Sequence, residues 1–285
     1  MELFGFDAPD FDLAKTLDSG QVFHWESCGA GYAGVIGARA VYVEQCGPEL
    51  RVNRDAAEEV QHYFALDHPL QEICASFPRD PAMDAARDYC SGLRIIRQPI
   101  WECLATFITS SMKQVAHIRQ MSRALRERFG TRAVIYGSPV FAFPPAARLA
   151  GAAEAQLREC ALGYRAKNLR ATAELVASGA ADLEAWRALS DEELRARLCG
   201  LPGVGAKVAN CVMLFAYERL RAFPIDVWIE RVLRQNYFPR ARKLTASRLR
   251  TFCDDYFGAH GGYAQQYLFH HARKTAARRR AKVAR

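Results

Sequence analysis

The chain has 285 residues, of which half are hydrophobic and a quarter are charged. This is the composition of a folded protein and excludes a disordered or collagen-like chain. No apolar run approaches the roughly 20 residues of a membrane-spanning helix, and the acidic N-terminal segment lacks the features of a signal peptide. We therefore expect an intracellular protein of two modest domains with no membrane association.

The net charge of +8 is concentrated at the C-terminal end of the chain. Residues 273–285 contain seven lysines and arginines and no acid, so the rest of the chain is close to neutral. We predict that this segment is a basic, solvated tail. Such a tail adds salt-dependent affinity for nucleic acid without defining a site.

The nine cysteines are scattered along the chain. None forms a Cys-x-x-Cys pair, and no histidine pair follows at zinc spacing. The C-terminal region also lacks the four closely spaced cysteines of an iron–sulfur cluster. We expect free thiols, no bound metal and no cofactor.

The first 95 residues are predicted to form a small antiparallel β-sheet domain with short helices. Segments rich in Val, Tyr and Ile are separated by glycine-containing turns. They predict strands at residues 21–25, 31–37, 40–46 and 49–52, followed by a helix over 55–65.

From Ile100 onward the apolar residues recur at the spacing of amphipathic helices. Two helices are predicted before Gly130, and the later ones fall at residues 146–149, 154–162, 166–177, 183–189, 191–198, 206–219, 227–236, 245–257 and 263–273. The predicted fold class is α+β, with a β-sheet domain (1–95), a larger all-helical domain (96–272) and the basic tail (273–285).

The segment Pro202-Gly203-Val204-Gly205 separates two predicted helices. Glycine lets the backbone approach a ligand closely, and the amides that begin the second helix can bind an anion. No Gly-Lys-Ser/Thr of a P-loop follows, so a single backbone phosphate fits better than a nucleotide. Taken alone, Gly-x-Gly is also the pattern of a plain connector between helices.

Lys207 and Asp226 are the candidate chemical groups near this hairpin. Lys207 shares a helix face with Cys211, four residues later, and partial desolvation there would make its amine more nucleophilic. Asp226 stands at a predicted helix N-cap, where the helix dipole keeps a carboxylate ionised. Each residue alone also fits a plainer role, a solvated lysine or a simple cap.

Five motifs, in chain order, resemble those of 8-oxoguanine DNA glycosylases, a family of the helix-hairpin-helix superfamily. They are Leu17–Trp25 (LDSGQVFHW), Phe107–Ser111 (FITSS), Leu162–Lys167 (LGYRAK), the hairpin with Lys207 followed by Pro224-Ile225-Asp226, and Tyr263–Phe269 (YAQQYLF). The resemblance implies a monomeric bifunctional glycosylase/AP lyase that flips 8-oxoguanine out of double-stranded DNA. It also implies a nucleoid-associated cytoplasmic location in a bacterium or a nuclear one in a eukaryote.

The resemblance implies roles for individual residues. Lys207 would attack C1′ of the damaged nucleotide and form a Schiff base, and Asp226 would stabilise the cationic sugar. The damaged base would be contacted by Gly20, Cys211, Gln265 and Phe269. The DNA would be contacted by Met112, His117, Tyr164, Arg165, Gly203, Val204, Gly205 and Trp228. A monovalent cation at the hairpin is a further implication.

Three positions depart from the family pattern. Met112 replaces an asparagine in the segment that fills the gap left by the flipped base, and His117 replaces an arginine that reads the opposite cytosine. Trp228 replaces a phosphate-binding histidine, although its indole N–H remains a donor. We expect weaker discrimination of the opposite base. The alternatives are a glycosylase for alkylated purines, which Lys207 argues against, and a non-catalytic DNA-binding module.

Overall fold

The computed structural model describes residues 2–111 and 113–283, with side chains as far as residue 277. A five-stranded antiparallel sheet in the order β1-β5-β4-β3-β2 forms the N-terminal region. Its strands are β1 (Leu3–Asp7), β2 (Glu26–Cys28), β3 (Gly31–Ile36), β4 (Arg39–Cys46) and β5 (Glu49–Asn53). Val43 of β4 lies opposite Val52 of β5, and both are fully buried, as the alternation of side chains in a half-buried strand requires.

Residues 21–25 are not a strand, which corrects the prediction for this segment. Gln21 is buried, and its side-chain amide donates to the Arg94 carbonyl (2.8 Å) and accepts from the Ile96 amide (2.8 Å). These bonds tie the segment to residues 94–96 instead of to a neighbouring strand. The two edge strands of the sheet are β1 and β2. The sequence analysis did not predict β1.

The rest of the chain is mainly helical, and the predicted fold class is confirmed. Short helices in the N-terminal region are α1 (Leu13–Asp18), α2 (Ala57–Tyr63), α3 (Leu70–Ala75) and α4 (Pro81–Tyr89). The helical region contains α5 (Ile100–Ser110), α6 (Val115–Phe129), α7 (Ala146–Ala150), α8 (Glu154–Leu157), α9 (Arg165–Ala177), α10 (Asp191–Cys199), α11 (Ala206–Phe215), α12 (Val227–Asn236), α13 (Ala246–Tyr256) and α14 (Gly261–Val283). None of the described helices combines the length and the apolar character that crossing a bilayer requires.

A β-hairpin interrupts the region that was expected to be all-helical. Strands β6 (Arg132–Ile135) and β7 (Ser138–Phe141) pair antiparallel and pack against the N-terminal sheet. The two residues of the turn, Tyr136 and Gly137, have φ angles of +52° and +74°, as in the tight turns that suit strand twist. Tyr136 stacks on Tyr42 with ring centroids 4.1 Å apart, which holds the turn against β4.

The last helix, α14, is both a core element and the continuation of the basic segment. Tyr263 and Tyr267 are fully buried, and a side chain at Gly262 would place its Cβ 2.3 Å from Leu214 of α11. Glycine at position 262 therefore lets α14 and α11 pack closely. The helix continues past Arg273 to Val283, which corrects the prediction that it ends at residue 273.

A buried ionic cluster joins the N-terminal region to the helical region. The Glu102 carboxylate of α5 accepts a hydrogen bond from Arg126 of α6 and lies 3.3 Å from His24. His24 in turn contacts the Val35 carbonyl of β3 (2.8 Å). Burial raises the pKa of Glu102 and lowers that of His24 well below its usual value. The cluster thus has a partner for each buried polar group, as burial of charge demands.

Candidate active site

The hairpin between α10 and α11 has the geometry of an anion-binding turn. Gly203 has a φ of +81°, and a Cβ there would lie 2.8 Å from the Asn168 Cβ, so only glycine fits without a shift. The Thr172 hydroxyl donates to the Pro202 carbonyl (2.9 Å) and fixes the turn to α9. Gly205 is the N-cap of α11 and supplies no side-chain cap, which leaves the first amides of the helix available to an anion.

Lys207 lies in the first turn of α11, against an aromatic surface. It is half-buried, and its Nζ is 5.0 Å from the centre of the Phe107 ring, which is itself stacked on Phe215. One turn later is Cys211, which is 3% exposed. Burial raises the pKa of the Cys211 thiol to about 11, although a hydrogen bond with Lys207 and the charge of Lys207 act in the opposite direction. Cys211 is therefore a neutral thiol at pH 7 and serves as a packing surface beside the amine.

Asp226 caps α12, as the sequence predicts, and faces the same region. Its carboxylate accepts a hydrogen bond from the Ile229 amide (2.8 Å). Burial raises the pKa of Asp226 above its usual value, and the Ile229 hydrogen bond and the positive charge of Lys207 only partly oppose this. The direction is opposite to that expected from the helix dipole alone, because desolvation penalises the charged carboxylate. The positive charge of Lys207 lowers the pKa of both Cys211 and Asp226, against the effect of their burial.

A second set of residues, which we call the recognition wall, consists of Gly20, Gln265 and Phe269. Gly20 has a φ of +88°, and a Cβ there would lie 3.0 Å from Cε1 of Phe269, so the Gly20 backbone lies directly against the ring. Gln265 is one turn earlier on α14 and is 4% exposed. Its Oε1 has no hydrogen-bond partner among the described residues. Such a buried acceptor costs about 1–3 kcal/mol and is available to a donor on a ligand.

The residues expected to contact DNA differ in their exposure to solvent. Tyr164 is 61% exposed and His117 is exposed, while Met112 lies outside the described residues. Arg165 is buried, and its guanidinium donates to the Ser111 carbonyl (2.9 Å) and stacks on Tyr164 at 4.4 Å. It therefore holds the end of the segment before Met112 and does not face solvent.

The remaining predicted DNA contacts surround the hairpin and the start of α12. Gly203 and Gly205 are exposed, whereas the Val204 side chain is buried under the turn. Trp228 is half-buried, with the Arg231 guanidinium 5.3 Å from its ring. The indole and the hairpin amides are thus donors near the beginnings of two helices, α12 and α11.

Sequence analysis missed Arg273 as a neighbour of the site because it was assigned to the tail. The guanidinium of Arg273 lies 5.7 Å from the centre of the Phe269 ring. Its position, four and eight residues after Phe269 and Gln265, places all three on one face of a continuous helix. That spacing is the signal that would have identified it. Within residues 2–111 and 113–283, no three His, Cys, Asp or Glu side chains converge as a candidate metal site.

Comparison with known proteins gives matches over both regions of the fold. The family described as 8-oxoguanine DNA glycosylase, N-terminal domain, matches residues 4–104, and that of HhH-GPD superfamily base excision DNA repair proteins matches residues 105–254. The N-glycosylase/DNA lyase OGG1 of Arabidopsis thaliana is 28% identical over 280 residues, covering 91% of this chain and 77% of the relative.

Two solved structures are similar over nearly the whole chain. One is the Clostridium acetobutylicum 8-oxoguanine glycosylase/lyase in complex with double-stranded DNA containing cytosine opposite 8-oxoG. It is 30% identical with a TM-score of 0.89, and the match covers 97% of this chain and 99% of that one. The other, MBOgg1 in complex with a low-affinity DNA ligand, is 31% identical with a TM-score of 0.90, covering 97% and 100%.

Proposed function

The chain belongs to the HhH-GPD superfamily of base excision DNA repair proteins, and on that premise we propose that it is a bifunctional 8-oxoguanine DNA glycosylase and AP lyase. It excises 8-oxoguanine from double-stranded DNA and cleaves the abasic site that remains, in base excision repair. The observation that supports this proposal is that Lys207 lies in the first turn of the helix after an uncapped hairpin, and that its charge acts on Asp226, the N-cap of α12.

Lys207 is the nucleophile in this proposal. Its amine, in the neutral form, attacks C1′ of the damaged nucleotide, so that a C1′–N bond forms while the glycosidic bond breaks and the base leaves with the bonding electrons. The attacking nitrogen loses a proton and the departing base anion takes one up; the nitrogen lone pair then expels O4′, which is protonated to a hydroxyl, and the opened sugar carries a protonated Schiff base between Lys207 and C1′. Loss of a C2′ proton then expels the 3′ phosphate, which completes the β-elimination.

Asp226 stabilises the positive charge that develops on the sugar as the base departs. A carboxylate fixed by the Ile229 amide needs little reorganisation at that moment. The hairpin amides at Gly203 and Gly205 hold a backbone phosphate, which positions the flipped nucleotide over Lys207. Nucleophile, counter-charge and phosphate site thus act on a single nucleotide.

The recognition wall selects the base. Phe269 and Cys211 sandwich the flipped purine, and the amide of Gln265 pairs with its Watson–Crick edge. The Gly20 carbonyl accepts from the N7–H that 8-oxoguanine has and guanine lacks. One such buried bond is worth about 1–3 kcal/mol, so it biases the choice of base together with the other contacts.

The two alternatives fit the chain less well. A glycosylase for alkylated purines of this superfamily usually lacks the hairpin lysine, and residues 4–104 match the N-terminal domain of 8-oxoguanine glycosylases. A non-catalytic DNA-binding module has no use for a lysine and a carboxylate beside the phosphate site.

We further propose that the protein acts as a monomer, in the cytoplasm with the nucleoid or in a nucleus. Its preference for the base opposite the lesion is relaxed because of Met112 and His117.

The decisive experiment is borohydride trapping on 8-oxoguanine duplexes with each of the four bases opposite the lesion. We expect the wild type to form a covalent complex, which vanishes in Lys207→Gln and persists in the control Lys243→Gln, an exposed lysine before α13. Base release without a trapped complex would contradict the role of Lys207. Absence of any reaction with all four duplexes would contradict the proposed function.

A further inference from the structure

Three cations from two helices converge on Asp18, at the end of α1. Arg119 of α6 donates to the Asp18 carboxylate (3.2 Å), and Lys274 of α14 donates to its other oxygen. Arg273, also of α14, donates to the Asp18 backbone carbonyl. Burial alone would raise the pKa of Asp18, but the hydrogen bond of Lys274 and the three positive charges lower it. We call these four residues the clasp.

The clasp lies directly beside the recognition wall. Asp18 is two residues before Gly20, and a Cβ at Gly20 would lie 3.4 Å from the Nη1 atom of Arg273. The same guanidinium lies over the Phe269 ring. Arg273 therefore touches both the turn that carries the Gly20 carbonyl and the ring that stacks on the base.

A second bond holds the same turn to α14. The Gln266 side chain, which is buried, donates to the Ser19 carbonyl (3.0 Å). The two residues that precede Gly20 are thus held by side chains of α14, whereas Gln21, which follows it, bonds to residues 94–96. Through Arg119, the clasp also reaches α6, the helix that begins three residues after Met112.

We propose that Asp18 and Arg273 are positioning residues that set the Gly20 carbonyl against the lesion and connect the recognition wall to α6. The inference rests on the proposed function. Asp18 neutralises part of the charge of Arg119, Arg273 and Lys274, so its loss leaves three cations to repel one another. The turn then shifts, and a hydrogen bond to the base depends steeply on distance and angle.

The consequence is a separation between the two chemical steps. The clasp touches Gly20 and Phe269 but makes none of the described contacts of Lys207 or Asp226. Base release, which requires recognition, depends on the clasp. Cleavage of an abasic site, which contains no base, does not.

The test compares single-turnover base release from an 8-oxoguanine:cytosine duplex with β-elimination on a preformed abasic duplex. For Asp18→Asn and Arg273→Met we expect base release to fall about tenfold or more, with β-elimination within about twofold of wild type. Arg119→Gln should give a smaller fall of the same kind, because Arg273 and Lys274 remain. Asp84→Asn is the matched control, since Asp84 is 43% exposed and paired with Arg87, against 39% for Asp18.

An equal fall in both rates would assign the clasp a purely structural role and overturn the proposal, as would unchanged base release in Asp18→Asn and Arg273→Met. An unchanged Arg119→Gln would overturn the connection to α6. Thermal unfolding is measured for every variant, and if Asp18→Asn does not fold, Arg273→Met provides the same comparison. A wild type that releases no base from any duplex would instead refute the proposed function, independently of the clasp.

Discussion

The catalytic and recognition parts of the site are built in different ways. The catalytic segment, residues 198–236, contains the hairpin, Lys207 and Asp226 within one continuous stretch of chain. The recognition wall instead joins the turn after α1 to α14, and the bond between Ser19 and Gln266 spans 247 residues. In the proposed function, chemistry therefore depends on local helix ends, whereas selectivity depends on long-range packing.

The two parts rely on different interactions. The groups of the catalytic segment are held by helix geometry: an N-cap fixes Asp226, and a first-turn position fixes Lys207. The wall relies on tertiary contacts that can be altered without disturbing those helix ends. A substitution in one part should therefore leave a recognisable signature in the rates of the two steps.

The largest effect is expected from Asp226→Asn. Asparagine still accepts a hydrogen bond as an N-cap, so α12 is preserved, but the charge that we propose to stabilise the sugar cation is lost. We expect base release to fall about a hundredfold or more, and β-elimination on abasic DNA to fall with it. Single-turnover assays on both substrates check this, with circular dichroism to verify folding. If the variant retained full β-elimination activity, the proposed role of Asp226 in the reaction would be contradicted.

A smaller and selective effect is expected from Gln265→Leu. Leucine fills a similar volume but removes the amide that we propose to pair with the base. Base release should fall about tenfold to a hundredfold, while β-elimination on abasic DNA stays close to wild type. The same two assays measure both values. Loss of β-elimination as well would mean that α14 supports the chemistry directly.

The smallest effect concerns stability, at the buried His270 of α14. Burial, assisted by the charge of Arg273, lowers the pKa of His270 from 6.5 to about 4. Between about pH 6.5 and about pH 4, His270 is therefore protonated in the unfolded chain but not in the folded one. The free energy of unfolding falls as the pH drops through this range. We expect the free energy of unfolding, measured with urea, to fall between pH 7 and pH 5. The fall should be about 1 kcal/mol smaller in His270→Gln than in wild type.

The control for this pH effect is His117→Gln, which alters an exposed histidine on α6. We expect it to keep the wild-type dependence on pH. An identical loss of stability in His270→Gln and wild type would show that His270 does not contribute. Buried His24, whose pKa is also lowered by burial, acts in the same direction and remains present in both variants.

The residues of the catalytic segment could be identified from the sequence more readily than those of the recognition wall. Lys207 and Asp226 were identifiable from helix spacing and an N-cap, because both signals are local. Gly20, Gln265 and Phe269 look like a turn glycine and an ordinary amphipathic helix, so only resemblance to a family singled them out. Arg273 was missed because its role depends on α14 continuing into a segment whose charge is typical of a solvated tail.

The errors in the fold have similar physical causes. Residues 21–25 alternate like a strand, but the buried amide of Gln21 bonds to residues 94–96, which no local pattern reveals. The β6–β7 hairpin turns through Tyr136, a residue that rarely adopts a positive φ. Its stacking on Tyr42, far away in the chain, stabilises that turn. Both cases are tertiary contacts that outweigh local preference.

The late position of α14 has a consequence for how the protein is made. Since a ribosome synthesises the chain from its N-terminus, the catalytic segment emerges before the helix that carries Gln265 and Phe269. The same helix supplies Tyr263 and Tyr267, which are fully buried in the main core. A nascent or prematurely terminated chain that contains Lys207 and Asp226 but lacks α14 is therefore without part of its core. The helix that completes the core is therefore also the one that supplies Gln265 and Phe269, so we expect folding of the chain and formation of the proposed recognition wall to depend on the same late segment.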